Sequence, residues 1–230
     1  MGIKQVGRRV AGVLAGAVAL GGLVVAPASA TTTPDDVCAV QAYVPGYKVS
    51  IDAPAKDVPV TLLDDCDRTA DVVIDVEGPE GAGYSFFYRP GQAQDVWFFS
   101  DEYPYGTYRF VAGAGTGDVQ VRPVEVVVKY GARASLRGSR SGDDVTLRVQ
   151  ASYYDASKYS YQPLRDRRAT IEILGKDGRT WQYLRSVTVP RTGIVDHTFT
   201  NRYAATYRVT TWETHNIFSR TSQAVTVPGR

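Results

Sequence analysis

Between residues 153 and 168 the chain reads Tyr153-Tyr154-Asp155-Ala156-Ser157-Lys158-Tyr159-Ser160-Tyr161-Gln162-Pro163-Leu164-Arg165-Asp166-Arg167-Arg168. Four tyrosines with serines among them, followed by three arginines, have the composition of a contact surface. Tyrosine offers a large rigid ring with a polar tip, and arginine offers charge-assisted hydrogen bonds. Tyrosine rings also stack on sugars or bases. A second stretch, Glu213 to Arg220, carries His215 and Phe218. Just before it, Trp212 falls out of phase with Tyr207 and Val209, which predicts an exposed ring. The candidate contact residues are therefore Tyr153, Tyr154, Tyr159, Tyr161, Arg165, Arg167, Arg168, Trp212, His215 and Phe218.

Catalytic patterns do not emerge. The chain has no Gly-x-Ser-x-Gly elbow, His-Glu-x-x-His pair, phosphate loop or dinucleotide fingerprint. It holds two histidines. His197 shares alternation phase with Val195 and Phe199, so it is expected on the core side of a strand, and His215 has no fixed acid beside it. The chain is expected not to be an enzyme and to need no cofactor or metal. A secreted hydrolase using a carboxylate pair is the alternative, and it would need a substrate-dependent activity lost on changing one carboxylate. Asp35-Asp36 precede Cys38, while Asp64, Asp65 and Asp67 flank Cys66. Oxygen clusters of this kind suit calcium, but the spacing is not that of an EF-hand, and a solvated acidic face is the default expectation.

The elements that must position these residues are strands. Val145, Leu147, Val149 and Ala151 alternate with Thr146, Arg148 and Gln150, and Ala169, Ile171 and Ile173 alternate likewise. A period of two puts apolar side chains on one face and polar ones on the other. Gly175-Lys176-Asp177-Gly178 is a hairpin signal after one such run, and Gly78 to Gly83 is its analogue earlier. The chain also matches itself. Ile74 to Gly81 aligns with Ile171 to Gly178 at an offset of 97, which places Tyr84 on Trp181 and Phe86 on Tyr183. Trp97 and Phe99 meet His197 and Phe199 at an offset of 100, and Thr107-Tyr108-Arg109-Phe110 meets Thr206-Tyr207-Arg208-Val209 at 99. Matched blocks in one order indicate a tandem duplication.

A small residue, then Thr-Tyr-Arg-Phe or Thr-Tyr-Arg-Val, a loop and a Val-rich closing strand form one pattern at Gly106–Phe110 with Val124–Val128, and again at Ala205–Val209 with Ala224–Val227. This resembles the last hairpin of an immunoglobulin-like sandwich, and the chain resembles tandem bacterial Ig-like modules of secreted proteins. The resemblance implies an all-β fold of two antiparallel sandwiches, spanning residues 31–129 and 130–230, joined at Lys129-Tyr130-Gly131. It also implies that the 153–168 segment is a B–C loop and Glu213–Arg220 an F–G loop, at the end where the chain enters the second sandwich. The patch they form is then an interface with the first sandwich, an external contact site or a solvated surface. Such modules serve as spacers, adhesins and binding domains.

Residues 1–30 resemble a cleavable export signal: Lys4, Arg8 and Arg9, an apolar run from Val10 to Val25, then Ala28-Ser29-Ala30. An extracellular location is expected, by the general secretory or the twin-arginine route, with no membrane span in the remaining 200 residues. Oxidising surroundings favour a Cys38–Cys66 disulfide over a metal pair or a reactive thiol. Charge is divided: residues 31–129 hold 16 acids and 7 bases, a net of −9, whereas residues 130–230 hold 8 acids and 16 bases, a net of +8. Opposite fields suggest an anionic envelope polymer, a glycan or a protein as partner, or head-to-tail self-association, and no nucleic acid is expected outside the cell.

Overall fold

The computed structural model describes residues 38–230. The expected export signal and Asp35-Asp36 lie outside the described residues. Strand-forming alternation dominates throughout. In the first half, β1 (Ala39–Tyr43), β3 (Ala55–Asp64), β6 (Gln94–Ser100) and β8 (Gln120–Arg122) form one sheet in the order β6-β3-β1-β8. Against it packs a sheet of β2 (Lys48–Ile51), β4 (Val72–Glu77), β5 (Gly83–Tyr88), β7 (Gly106–Ala112) and β9 (Val124–Tyr130), in the order β2-β9-β7-β4-β5. In the second half, β10 (Ala132–Ser141), β11 (Asp144–Asp155), β12 (Ser160–Pro163) and β15 (Ile194–Thr200) make one sheet centred on β11. The facing sheet holds β13 (Arg167–Leu174), β14 (Trp181–Val189), β16 (Ala205–Thr211) and β17 (Val225–Val227), in the order β14-β13-β16-β17. These are two Ig-like β-sandwiches in tandem.

The same pairings recur in both halves: β5-β4-β7-β9 matches β14-β13-β16-β17, and β3–β6 matches β11–β15. Most pairs are antiparallel, as expected, but β1–β8 and β2–β9 are parallel. The cause is local. After β1 the chain turns through Pro45-Gly46-Tyr47, with Gly46 and Tyr47 at φ +62° and +53°, and leaves one sheet for the other. β2 then runs alongside β9 in the same direction. The second sandwich has no such switch, because β10 stays with β11 over its whole length.

Each sandwich buries its own core. In the first, Trp97 is fully buried and meets Phe99, Tyr108 and Phe110 edge-on at 5.0, 5.3 and 5.6 Å. The second core is mostly aliphatic, built from Leu147, Val149, Ile171 and Val209 around Tyr207. His197, aligned with Trp97, is half-buried and stacks on Phe199 at 5.4 Å; burial lowers its pKa. The Tyr108 hydroxyl donates to the Pro104 carbonyl at 2.7 Å, tying a core ring to the turn before its own strand. Tyr207, in the matching place, accepts from Asn201 Nδ2 at 2.8 Å.

Cys38 and Cys66 are disulfide-bonded with Cα atoms 5.5 Å apart, which ties the start of β1 to the end of β3. Beside them, Arg68 is buried and donates to four carbonyls, of Ala70, Tyr88, Arg89 and Gln92, at 2.7–3.0 Å. One guanidinium thus closes the turn between β5 and β6 onto the chain leaving β3.

Burial raises the pKa of the Tyr88, Tyr108 and Tyr154 hydroxyls well above the ordinary tyrosine value. The folded state therefore favours the neutral phenol. A raised folded pKa adds stability that is complete below the unfolded value of about 10 and is lost as pH rises from there through the folded values. The melting temperature is expected to drop steeply above pH ~10. Tyrosinate absorbance from these rings should then emerge together with unfolding; a smooth titration of every tyrosine near pH 10 in the folded protein would refute this.

Candidate interaction surface

The structure divides the predicted contact residues into two groups. The segment 153–168, expected as one loop, is largely strand: β11 continues to Asp155, β12 takes Ser160–Pro163, and β13 begins at Arg167. Along β11, Val145, Leu147, Val149 and Ala151 face the second core, but Tyr154 is the next fully buried residue and belongs to the core of the first sandwich. The buried face switches because the far end of β11 reaches past its own sandwich. The Tyr154 hydroxyl donates to Asp101 Oδ2 at 2.8 Å, and both residues are buried. Tyr161 meets the Tyr154 ring edge-on at 5.7 Å and packs against the first core, whereas Tyr153 faces the second.

The F–G loop joins this seam. Phe218 N–H donates to the Tyr130 carbonyl at 3.0 Å, and Tyr130 N–H donates to Asn216 O at 2.8 Å. The Phe218 ring lies 5.8 Å from Lys48 Nζ and 5.7 Å from Lys129 Nζ. Lys129 also pairs with Glu213 at 2.6 Å, and the exposed His215 meets Tyr105 edge-on at 5.8 Å. The join is tighter than expected, because β9 runs to Tyr130 and β10 begins at Ala132, leaving Gly131 alone between them. A Cβ there would sit 2.6 Å from Ser50 Oγ and 2.9 Å from Asp52 Cβ, so only glycine fits.

The remaining candidates are exposed: Tyr159, Arg165, Arg167, Arg168 and Trp212. Tyr159 follows a short turn capped by Asp155 and is 63% exposed. Arg165 and Arg167 sit on the approach to β13. Arg168 lies over Trp212 at 5.4 Å, while the indole Nε1–H donates to Thr170 Oγ1 at 2.8 Å. These two residues open onto the outer face of β13 and β16. There Arg208 Nε donates to Glu172 Oε2 at 2.7 Å, with its guanidinium 4.3 Å from the Trp181 ring. Thr210 adds a bond to the same carboxylate at 3.2 Å. Hydrogen bonding from Arg208 holds the Glu172 carboxyl below its ordinary range. Trp212, Thr170, Glu172, Arg208 and Thr221 line an open groove of about 560 Å³.

Tyr183, also on this sheet, is 68% exposed, although Phe86, which aligns with it in sequence, is buried. The difference is one of register. Phe86 opposes the inward Ile74, but a bulge between Ile171 and Glu172 brings Tyr183 opposite Glu172, on the outer face. A one-residue slip turns a side chain to the other side of a sheet. Neither Trp181 nor Tyr183 stood out in the sequence, because only the bulge reveals their direction.

Near the disulfide, Asp65 of the acidic cluster is engaged in structural contacts. Asp65 Oδ1 accepts from Ala39 N–H at 3.0 Å and its Oδ2 pairs with Arg122 at 3.2 Å. Among the described residues, the one group with metal-like spacing is Cys38, Asp65 and Cys66, and both sulfurs are in the disulfide.

No protein-family model matches the chain, and no curated protein matches it. Among solved structures it is similar to a segment of two fibronectin type III domains from chicken tenascin, at 11% identity and TM-score 0.38, covering 81% of this chain and 95% of that one. It is also similar to the D0–D1 domain of intimin, at 15% identity and TM-score 0.27, covering 82% and 97%. Trypsin-activated alpha-2-macroglobulin from Escherichia coli matches at 14% identity and TM-score 0.33; the likeness covers 84% of this chain but only 16% of that protein.

Proposed function

We propose that the protein is an exported, non-catalytic binding module, built by tandem duplication of one sandwich, that contacts a cell-envelope polymer, glycan or protein through the outer face of β13, β14 and β16. The observation that carries this reading is a groove lined by exposed Trp212 whose polar side chains are held in place by one another, with exposed Tyr183 on the same sheet face opposite Glu172. Aromatic anchors beside preorganised charged groups are the common composition of recognition surfaces. The seam supplies the rigid support, since Tyr154 and Phe218 fix the second sandwich on the first. Export is supported by the disulfide and by the expected signal segment; among the described residues no helix is long and apolar enough to cross a membrane.

The test is a pull-down of the purified protein on isolated envelope polysaccharide and protein fractions. Replacing Trp212 and Tyr183 together by alanine is expected to weaken saturable binding at least tenfold, in line with the ~2 kcal/mol or more lost at an aromatic hot spot. Tyr159→Ala serves as the control, being exposed but outside this face. Equal binding by all three proteins would refute the assignment of this face.

The divided charge favours a second reading, a spacer that self-associates with its acidic half on the basic half of the next molecule. Sedimentation would show assembly at low salt that dissolves by ~0.3 M, where charges more than about 6 Å apart are screened. A salt-independent monomer would rule that out.

A further inference from the structure

A different site runs along β10 and β11 of the second sandwich and reaches the chain between β16 and β17, where Thr221 also borders the Trp212 groove. β15 and β12 lie end to end along the same edge of β11. Between them, Ala151 hands over from one partner to the next. Its N–H donates to Gly193 O at 2.9 Å and its carbonyl accepts from Leu164 N–H at 3.0 Å. Gly193 has φ +77°, and a Cβ there would come within 2.9 Å of Pro163 Cβ, so glycine lets the two segments abut. Above this junction is an open groove of about 590 Å³.

Arg133 forms one wall, its guanidinium 3.5 Å from the centre of the Tyr161 ring. Stacking holds a guanidinium flat while leaving its in-plane N–H donors free for an anion. Arg220 forms another wall. Among the described residues, no carboxylate pairs with either arginine. A second hollow of about 340 Å³ shares Ala134, Ser135 and Arg220 with the first and continues along β10 to Gln223. The two make one channel, and no acidic side chain lines it. By contrast, the Trp212 groove contains Glu172 and Glu213. The other polar groups of the channel are hydroxyls and amides, Ser135, Gln150, Ser152 and Thr192, set among apolar side chains that include Pro163 and Leu136.

We infer that this channel binds an acidic polysaccharide, an extended sugar chain bearing carboxylate, sulfate or phosphate groups, with Arg133 and Arg220 gripping successive charges. Two adjoining hollows along one strand suit an extended polymer, and the unpaired arginines suit its charge. The hydroxyl and amide groups between the arginines can pair with sugar hydroxyls, whereas an acidic peptide would use the arginines alone.

The test measures binding of the purified protein to alginate, dextran sulfate, neutral dextran and poly-glutamate. Saturable binding to alginate or dextran sulfate is expected; which of the two binds tighter separates carboxylate from sulfate recognition. The Arg133→Gln/Arg220→Gln double variant should weaken it at least tenfold, and Arg220→Gln alone, remote from the Tyr161 stack, at least threefold. An Arg179→Gln/Arg185→Gln variant with the same net charge should bind as the parent does. Equal loss in the Arg179/Arg185 variant, binding to poly-glutamate as tight as to alginate, or no binding to either acidic polysaccharide would overturn the proposal. A failed Trp212 face would leave it standing.

Discussion

Tyr154→Ala is expected to lower the unfolding free energy by about 4 kcal/mol, the range for truncating a fully buried aromatic ring, with a further contribution from the stranded Asp101 carboxylate. The residue belongs by chain to the second sandwich and by packing to the first, so its loss should also change how the protein melts. With the seam intact, the two cores are coupled and calorimetry should show one transition. Without the ring, the sandwiches should separate into two transitions. Tyr154→Phe isolates the hydrogen bond: it keeps the packing, leaves a buried acceptor without its donor, and should cost roughly 1–3 kcal/mol while preserving a single transition. A Tyr154→Ala protein that melts in one step with less than 1 kcal/mol lost would show that the ring does not couple the halves.

Removal of the Cys38–Cys66 bond should have the next largest effect. The bridge closes a separation of 28 residues. In the chain-entropy description such a closure contributes about 3.5 kcal/mol by restricting the unfolded chain. The effect should be confined to the first sandwich, because the loop it closes contains β1, β2 and β3 and no strand of the second. A Cys38→Ser/Cys66→Ser variant, or the parent under reductant, should therefore lose stability in the transition of the first half. Once the Tyr154→Ala background separates the two transitions, the second should keep its midpoint. An equal shift of both would show that the bridge stabilises the seam instead.

The fold was legible in the sequence because its signals are local. Alternation in Val145–Ala151 and Ala169–Ile173, and turn residues at Gly175–Gly178, act within a few positions, and the structure uses them as strands and a hairpin. There Gly178 N–H closes onto Gly175 O, and hydrogen bonds from Thr180 and Arg179 hold the Asp177 carboxyl down at about 2. The arrangement of the contact residues was not legible in this way. Nothing local marks Tyr154 as buried and Tyr159 as exposed; the difference is made by Asp101, fifty-three residues earlier. The outward turn of Tyr183 depends on a bulge in the neighbouring strand pair. Nothing local marks Arg68, and only the convergence of four carbonyls makes it part of the interior. Composition names residues able to make contacts, but the partner is chosen by chain segments far away.

The parallel pairing of β2 with β9 has a mechanical consequence. Tension reaching Cys38 crosses the disulfide to Cys66, so β1, β2 and β3 lie outside its direct path, and it leaves the first sandwich at the end of β9. Drawing β9 out by its end slides the register Lys48–Val127 through Ile51–Tyr130 against a β2 held inside the disulfide-closed loop, so its hydrogen bonds are strained together. In the second sandwich the last strand, β17, lies antiparallel to β16, and its final residue, Val227, opposes the first of β16, Ala205. The same pull peels those bonds one after another. Stretched end to end, the protein yields from its C-terminal half, while the acidic half, stapled by its disulfide, holds.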